Sequence, residues 1–444
     1  MASKLISHTL PRASTKQLVR SFASVATQST RTTVLPNGVT VATEENATPA
    51  TVGVWINAGS RNEAAHGAAN LLQHASIKAH GNTFEKLGGG LQAQTGREQS
   101  FYASHANEAT LADTVAGLSA LVQGDVSQLE AARADVFRQQ EANDRNLKNV
   151  TFDNLHAMAF QGETLGRPTV GVKESVEALT AADLEAFKQN ISADRLVVVG
   201  AGNVEHDALV RAAEKAFGSL ATGAAPAQAK AVFTGSDIRY RDDVLPQAHV
   251  AMAVEGAPYL SADYFTLGVM STLIGNWNQQ LGAAANLSSR LSTVFNENHL
   301  ANAFVSFNHG YKDTGLWGIY FVSDNKTQLD DCQYFIQKEW IRLSTTITAS
   351  EVERAKQQFQ ASLLLQLDNN QTIAQDIASQ VLATGKRLTA EEIKQTVGKI
   401  SVADVRAAGD KYLWDQEIAV SATGPIEGLS DYLRMRNAMS VNRF

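Results

Sequence analysis

A single cysteine, Cys332, occurs among the 444 residues. One thiol excludes an intrachain disulfide and any zinc or iron–sulfur site built from cysteines. Long apolar runs are also missing, since no stretch approaches the roughly 18 consecutive apolar residues of a membrane-spanning helix. A basic excess is absent as well: 38 Lys and Arg face 45 Asp and Glu, for a formal charge of −7. That balance leaves no broad cationic surface for non-specific nucleic-acid binding. Neither a Gly-x-Ser-x-Gly elbow nor a Cys-x-x-Cys-His haem attachment occurs. What is present is 44% apolar and 19% charged side chains, which excludes disorder and supplies cores for two or three domains.

Acidic residues are themselves missing from the first 43 positions, which hold Lys4, Arg12, Lys16, Arg20 and Arg31 among many Ser and Thr. This composition reads as a mitochondrial transit peptide over residues 1–22. Residues 12–22 can form a short helix with Leu18, Val19 and Phe22 near one face and Lys16 and Arg20 near the other. Arginine three residues before a small residue predicts cleavage between Phe22 and Ala23. Loss of Lys4, Arg12, Lys16 and Arg20 takes the charge to 34 − 45 = −11.

The remainder repeats itself. Residues 178–209 and 399–429 each read as a capped helix, a loop, an apolar strand, a glycine turn and the start of another helix. Asp183 and Asp404 lie 221 apart, and Gly202 and Gly424 lie 222 apart. Strand-like 51–60 has a counterpart in 249–258. Offsets of this size indicate duplicated domains. The expected organisation is a domain over 30–220, an Ala-rich linker over 221–233 and a second domain over 234–444. Helical patterns at 108–122, 127–147 and 350–368 stand among strand patterns such as 316–324, without strict βαβ alternation, so the fold class expected is α+β. The Gly200 and Gly202 turn is not a dinucleotide fingerprint, because Glu205 stands where a pyrophosphate would sit. Gly88–Gly90 lacks the Lys-Ser or Lys-Thr of a phosphate loop.

Residues 66–81, HGAANLLQHASIKAHG, form a helix pattern with Ala68, Leu71, Leu72, Ala75 and Ala79 on one stripe. Asn70, Gln73, His74 and Ile77 fall on another. Two ligands at i and i+4 with a carboxylate at i+3 would converge on one zinc ion and one water. The segment resembles the inverted His-x-x-Glu-His helix of the pitrilysin-type metallopeptidases and the mitochondrial processing peptidase. The family's two ligands and its general base then fall on Asn70, His74 and Gln73. Through the matching segments 135–145 and 152–168, its distal glutamate ligand falls on Gln139 and an upstream glutamate on Ala132. LPNGVTVATE, TGREQSFYASH and NLSSRLSTVF extend the resemblance over nearly the whole chain. A neutral amide at Gln73 takes no proton from water, and Asn70 and Gln139 are poor zinc donors, leaving His74 as a satisfied structural histidine. His66 is about 12 Å away along a straight helix, and His80 is off the face. Cys332, beside Asp330 and Asp331, is an unreactive helix residue.

The resemblance implies two homologous peptidase-like domains, each a mainly antiparallel sheet with packed helices, in one clam-shaped chain with vestigial zinc-site positions at Asn70, Gln73, His74 and Gln139. Residues 274–291, 308–324 and 413–444 are similar to the fungal core-protein-1 branch of the family, in ubiquinol:cytochrome c oxidoreductase, complex III. That branch implies a non-catalytic subunit needed for assembly, not an enzyme, with no cofactor of its own. Its implied partners are core protein 2 and the cytochrome b, c-type cytochrome and iron–sulfur subunits, on the matrix side of the mitochondrial inner membrane and peripheral to it. The alternative is a subunit of a processing peptidase that cleaves presequences. Arg434, Arg436 and Arg443 suit an acidic partner or lipid surface, or an ordinary solvated helix.

Overall fold

The computed structural model describes residues 30–223, 228–281 and 289–441. Phe22, Ala23 and the transit-peptide segment lie outside them, as does Arg443. The first sheet contains β1 (Arg31–Val34), β2 (Thr40–Glu45), β3 (Ala50–Ile56), β4 (Leu91–Thr95), β5 (Ser100–Ala106) and β6 (Leu196–Gly202). Their order is β1-β2-β6-β3-β5-β4, with only β2 and β6 parallel. The second contains β7 (Ser236–Arg241), β8 (Ala248–Gly256), β9 (Asn276–Asn278), β10 (Ala303–Gly310), β11 (Gly315–Ser323) and β12 (Ala419–Gly424). Its order is β7-β12-β8-β11-β10-β9, again with one parallel pair, β7 and β12. The α+β class with mainly antiparallel sheets is therefore observed in both halves.

Eight helices of four or more residues accompany the first half of the chain. These are α1 (Ala68–His80), α2 (Asn82–Lys86), α3 (Leu111–Gln123), α4 (Leu129–Asp144), α5 (Leu147–Ala159), α6 (Lys173–Ala178), α7 (Ala181–Lys188) and α8 (His206–Phe217). The second half carries α9 (Asp263–Ile274), α10 (Arg290–Glu297), α11 (Leu329–Thr345), α12 (Ala349–Gln366), α13 (Asn370–Thr384), α14 (Ala390–Gly398), α15 (Val402–Tyr412) and α16 (Tyr432–Val441). The single helix predicted over 127–147 is broken at Arg145 and Asn146, where Asn146 caps α5 by accepting from the Asn149 amide.

The repeat is visible in backbone chemistry. Thr180 with Asp183, and Ser401 with Asp404, close capping boxes on α7 and α15. Gly202 and Gly424 end β6 and β12 at φ of 113° and 107°. A Cβ at these places would lie 2.7 Å from Ala50 Cα and 2.5 Å from the Gln247 carbonyl, so only glycine fits.

Each sheet is covered on both faces, and the two halves exchange a helix to do it. Val52, Val54, Ile56 and Val198 join Leu71, Leu72, Val115 and Leu118 in a core beneath α1 and α3. The opposite face, with Trp55, Val197 and Val199, is covered by Ile373, Ala374, Ile377 and Val381 of α13. In the second sheet Val250, Met252 and Val254 pack with Trp317, Trp340 and Leu267. Its opposite face, with Ala251 and Ala253, receives Leu155 and Ala159 of α5. Continuous apolar runs such as Leu196–Gly202 follow from burial on both faces. Asn370 at the start of α13 bonds Thr48 and the Pro49 carbonyl at 2.6 Å, and Arg387 beyond its end pairs with Glu44 and Asp376.

Candidate functional site

The site is built around α1, at the open end of the first sheet. Glu63 caps this helix, its carboxyl oxygens accepting from the Gly67 and Ala69 amides at 2.8 and 2.9 Å. Burial pushes that carboxyl up to about 8, against the opposing pull of the two amides and Arg167. Ala68, Leu71, Leu72 and Ala75 enter the core as the apolar stripe requires. Asn70 and Gln73, only 2% and 5% exposed, and the half-buried His74 face α4 and the β4–β5 hairpin.

Three of the four family positions form one network. The Asn70 Nδ2 group donates to Gln139 Oε1 at 2.8 Å, and His74 Nε2 lies 3.1 Å from the same oxygen. A network satisfied this way carries the His74 proton on Nε2. Burial lowers the His74 pKa despite the Gln139 contact, which keeps the ring neutral. Gln73 is turned the other way, toward the sheet. Its Oε1 accepts from Thr95 Oγ1 at 3.1 Å, and its Nε2 donates to the Phe101 carbonyl at 3.3 Å. Ala132 is fully buried in the apolar core, with no place there for an upstream carboxylate.

Zinc does not fit these residues. Asn70 presents its amino end to Gln139, the Gln139 oxygen already accepts two donors, and the set offers one imidazole and no carboxylate. Five other histidines are engaged elsewhere. His80 meets Asp125, His105 meets Thr51, His156 meets Tyr311, His206 meets Thr33 and Thr43, and His249 meets Tyr320. Among the described residues no group of three His, Cys, Asp or Glu side chains is placed to hold a metal ion. Cys332 donates to the Leu300 carbonyl and is buried, with its thiol pushed up to about 12, so it is inert.

Sequence reasoning missed the hairpin beside the helix. β4 is the edge of the first sheet, five residues long and bonded on one side only, to β5. Its turn, residues 96–99, docks against the β10–β11 turn of the second half. Buried Arg61 bridges the two, meeting Glu98 at 2.7 Å and Asp313 at 2.5 Å and 2.8 Å. The Lys312 amide adds a bond to Glu98 at 3.1 Å, and Arg97 pairs with Asp153 of α5 at 2.6 Å. TGREQS carries the turn and charges that could have marked this hairpin, but their partners lie 37, 56 and 214 residues away in the chain.

Two family models match the chain: "Insulinase (Peptidase family M16)" over residues 39–173 and "Peptidase M16 inactive domain" over 178–359. A Schizosaccharomyces pombe protein, "Probable mitochondrial-processing peptidase subunit beta", is 45% identical, covering 96% of this chain and 98% of that protein. A Lentinula edodes protein, "Mitochondrial-processing peptidase subunit beta", is 44% identical over 95% of this chain and 96% of its own length. The human protein of that name is 37% identical over 92% and 87%. Among solved structures, a chain of complex III2 from Candida albicans with Inz-5 bound superposes with a TM-score of 0.85 at 32% identity, covering 93% of this chain and all of that one.

These findings correct two expectations, that of a non-catalytic complex III core subunit and that of a protein that is not an enzyme. Relatives at 37–45% identity along almost the entire chain are named as subunits of a peptidase. The expectations rested on substitutions at Asn70, Gln73 and Gln139 and on the likeness of 274–291, 308–324 and 413–444 to the core-protein-1 branch, and those substitutions report on metal chemistry at one pocket. With two family models along its length and relatives of this identity, the chain belongs to the M16 family of peptidases.

Proposed function

We propose that this chain is a beta-type subunit of a mitochondrial processing peptidase that cleaves presequences, and that it receives the precursor as an extended peptide along β4. The observation that carries the reading is 45% identity to such a subunit over 96% of the chain, combined with an open sheet edge beside α1. An edge strand offers unpaired amides and carbonyls to a peptide of any sequence, as a processing subunit requires. Gln92 and Gln94 are exposed on that strand, and half-buried His74 and exposed Gln139 add neutral polar groups where α1 meets α4. These accessible groups hold and orient peptide; the metal-dependent step of the assembly lies outside them. Two domains, 30–220 and 234–444 with the linker 221–233, and a transit peptide cut between Phe22 and Ala23, complete the reading.

The likeness to a complex III chain supports contact with that complex, with core protein 2 and the cytochrome b, c-type cytochrome and iron–sulfur subunits as partners at the matrix face of the inner membrane. Attachment from outside the bilayer suits the described residues, where no helix is long and apolar enough to cross a membrane.

The decisive experiment depletes this chain from mitochondria and follows precursor cleavage by extracts, then adds the purified chain back. Cleavage lost and restored supports the proposal; unchanged cleavage without the chain overturns it. N-terminal sequencing of the mitochondrial form checks the cut after Phe22.

A further inference from the structure

We infer that Gln73 is a positioning residue that clasps the peptide-receiving edge strand to α1, an assignment that rests on the reading of β4 as the peptide edge. A short edge strand is the least secure part of a sheet, because it is bonded on one side and frays from its end. β4 has five residues, with Gly88–Gly90 before it and Gly96 after it, and it holds to the sheet through β5 alone. Gln73 reaches both strands of this hairpin with one side chain. Its carbonyl oxygen takes the hydroxyl proton of Thr95 on β4, and its amino group gives a proton to the Phe101 carbonyl on β5.

A primary amide supplies an acceptor and a donor at this spacing without titrating, whereas a carboxyl does so only while it holds its proton. A carboxylate at the same position keeps the Thr95 bond but turns a second oxygen toward the Phe101 carbonyl, and an apolar side chain loses both bonds. A cavity of about 20 Å³, room for about one water molecule, lies against it, lined by Gln73, Thr95, Ser100 and Tyr102 with Ile56 and Leu72. The two hydrogen bonds set the orientation of the amide. Where the resembled family keeps its general base, this chain keeps a fastener.

The test uses the full chain and a fluorescein-labelled peptide of presequence composition, made of arginine, serine and leucine with no acidic residue. Binding is read by anisotropy, and amide hydrogen exchange is followed across residues 91–95. Gln73→Glu and Gln73→Leu are expected to weaken peptide binding about tenfold and to speed exchange in β4 while the other strands stay protected. Thr95→Val is expected to follow them, whereas Thr95→Ser, which restores the hydroxyl, binds within about twofold of the parent. A change in melting temperature with unaltered peptide affinity and β4 exchange in all four variants overturns the clasp. If the parent chain itself fails to bind the peptide, the processing reading falls instead, and β4 exchange still decides whether Gln73 fastens the strand.

Discussion

α1 and α9 hold corresponding places in the two halves, each following the strand at the centre of its sheet, yet they meet their covering helices by opposite chemistry. α1 faces α4 through Asn70, His74 and Gln139, three polar side chains sharing one oxygen. α9 faces α12 through Gly268, where a Cβ would stand 2.5 Å from the Phe359 ring. The second half is closed by dispersion and shape, and nothing polar is needed there. In the first half Ala132 and Val136 of α4 join the core formed by Leu71, Leu72 and Ala75, and the polar trio lies beside them. Residues at such a joint can change their chemistry while the fold persists, because their side chains carry little of its stability.

The largest effect expected from this comparison is a gain of metal. If α1 and α4 still hold the family's geometry, Asn70→His, Gln73→Glu and Gln139→Glu together should convert a chain without zinc into one that retains about one zinc after dialysis, measured by elemental analysis. Failure to bind would mean that the backbones have drifted along with the side chains. Next comes Arg61→Met, which leaves the partly buried Glu98 and Asp313 without their cation and should cost about 3 kcal/mol in urea unfolding. A loss near zero would show that the hairpin turns of the two halves dock without the charge.

Proton linkage further separates the two helix starts, since α1 is capped by the titrating carboxyl of buried Glu63 while the first amide of α9 meets the Ser261 hydroxyl. Glu63 binds its proton more tightly in the folded chain, up to about pH 8, than in the unfolded one. Its contribution is therefore fully present below about pH 4.5 and is lost as pH rises toward 8. Unfolding midpoints should fall across that window, and Glu63→Gln should flatten the slope. An unchanged slope would move the titration elsewhere. Gly268→Leu forces side-chain atoms into Phe359 and should cost about 1–3 kcal/mol. Gln139→Ala, at the exposed polar joint, should cost less than about 1 kcal/mol. If Gln139→Ala proves the worse of the two, the contrast between the joints is mistaken.

Features encoded within a few residues were readable from the amino-acid order. The capping boxes at Thr180 and Ser401, the glycine turns at Gly202 and Gly424 and the buried stripe of α1 each depend on near neighbours. The crossing of α5 and α13 was not readable, because an apolar helix stripe fits either sheet equally well and only the assembled layers decide between them. Gln73 was legible as a missing base but not as a partner of Thr95, whose position depends on the register of the β4–β5 hairpin. The role of the whole chain escaped local chemistry for the same reason, since it is spread over hundreds of positions, not held at three.

The exchanged helices also bear on what a cut between the halves would do. A protease opening the chain at 221–233 would sever its covalent continuity without freeing two separate bodies. Each fragment would still grip the other by a helix seated on a foreign sheet, with Ile373, Ile377 and Val381 on one side and Leu155 and Ala159 on the other. The nicked protein should travel as one particle through a sizing column and fall apart only in denaturant. To separate the halves intact, α5 and α13 would have to be moved to the opposite pieces, so the genetic seam and the mechanical seam of this molecule run along different lines.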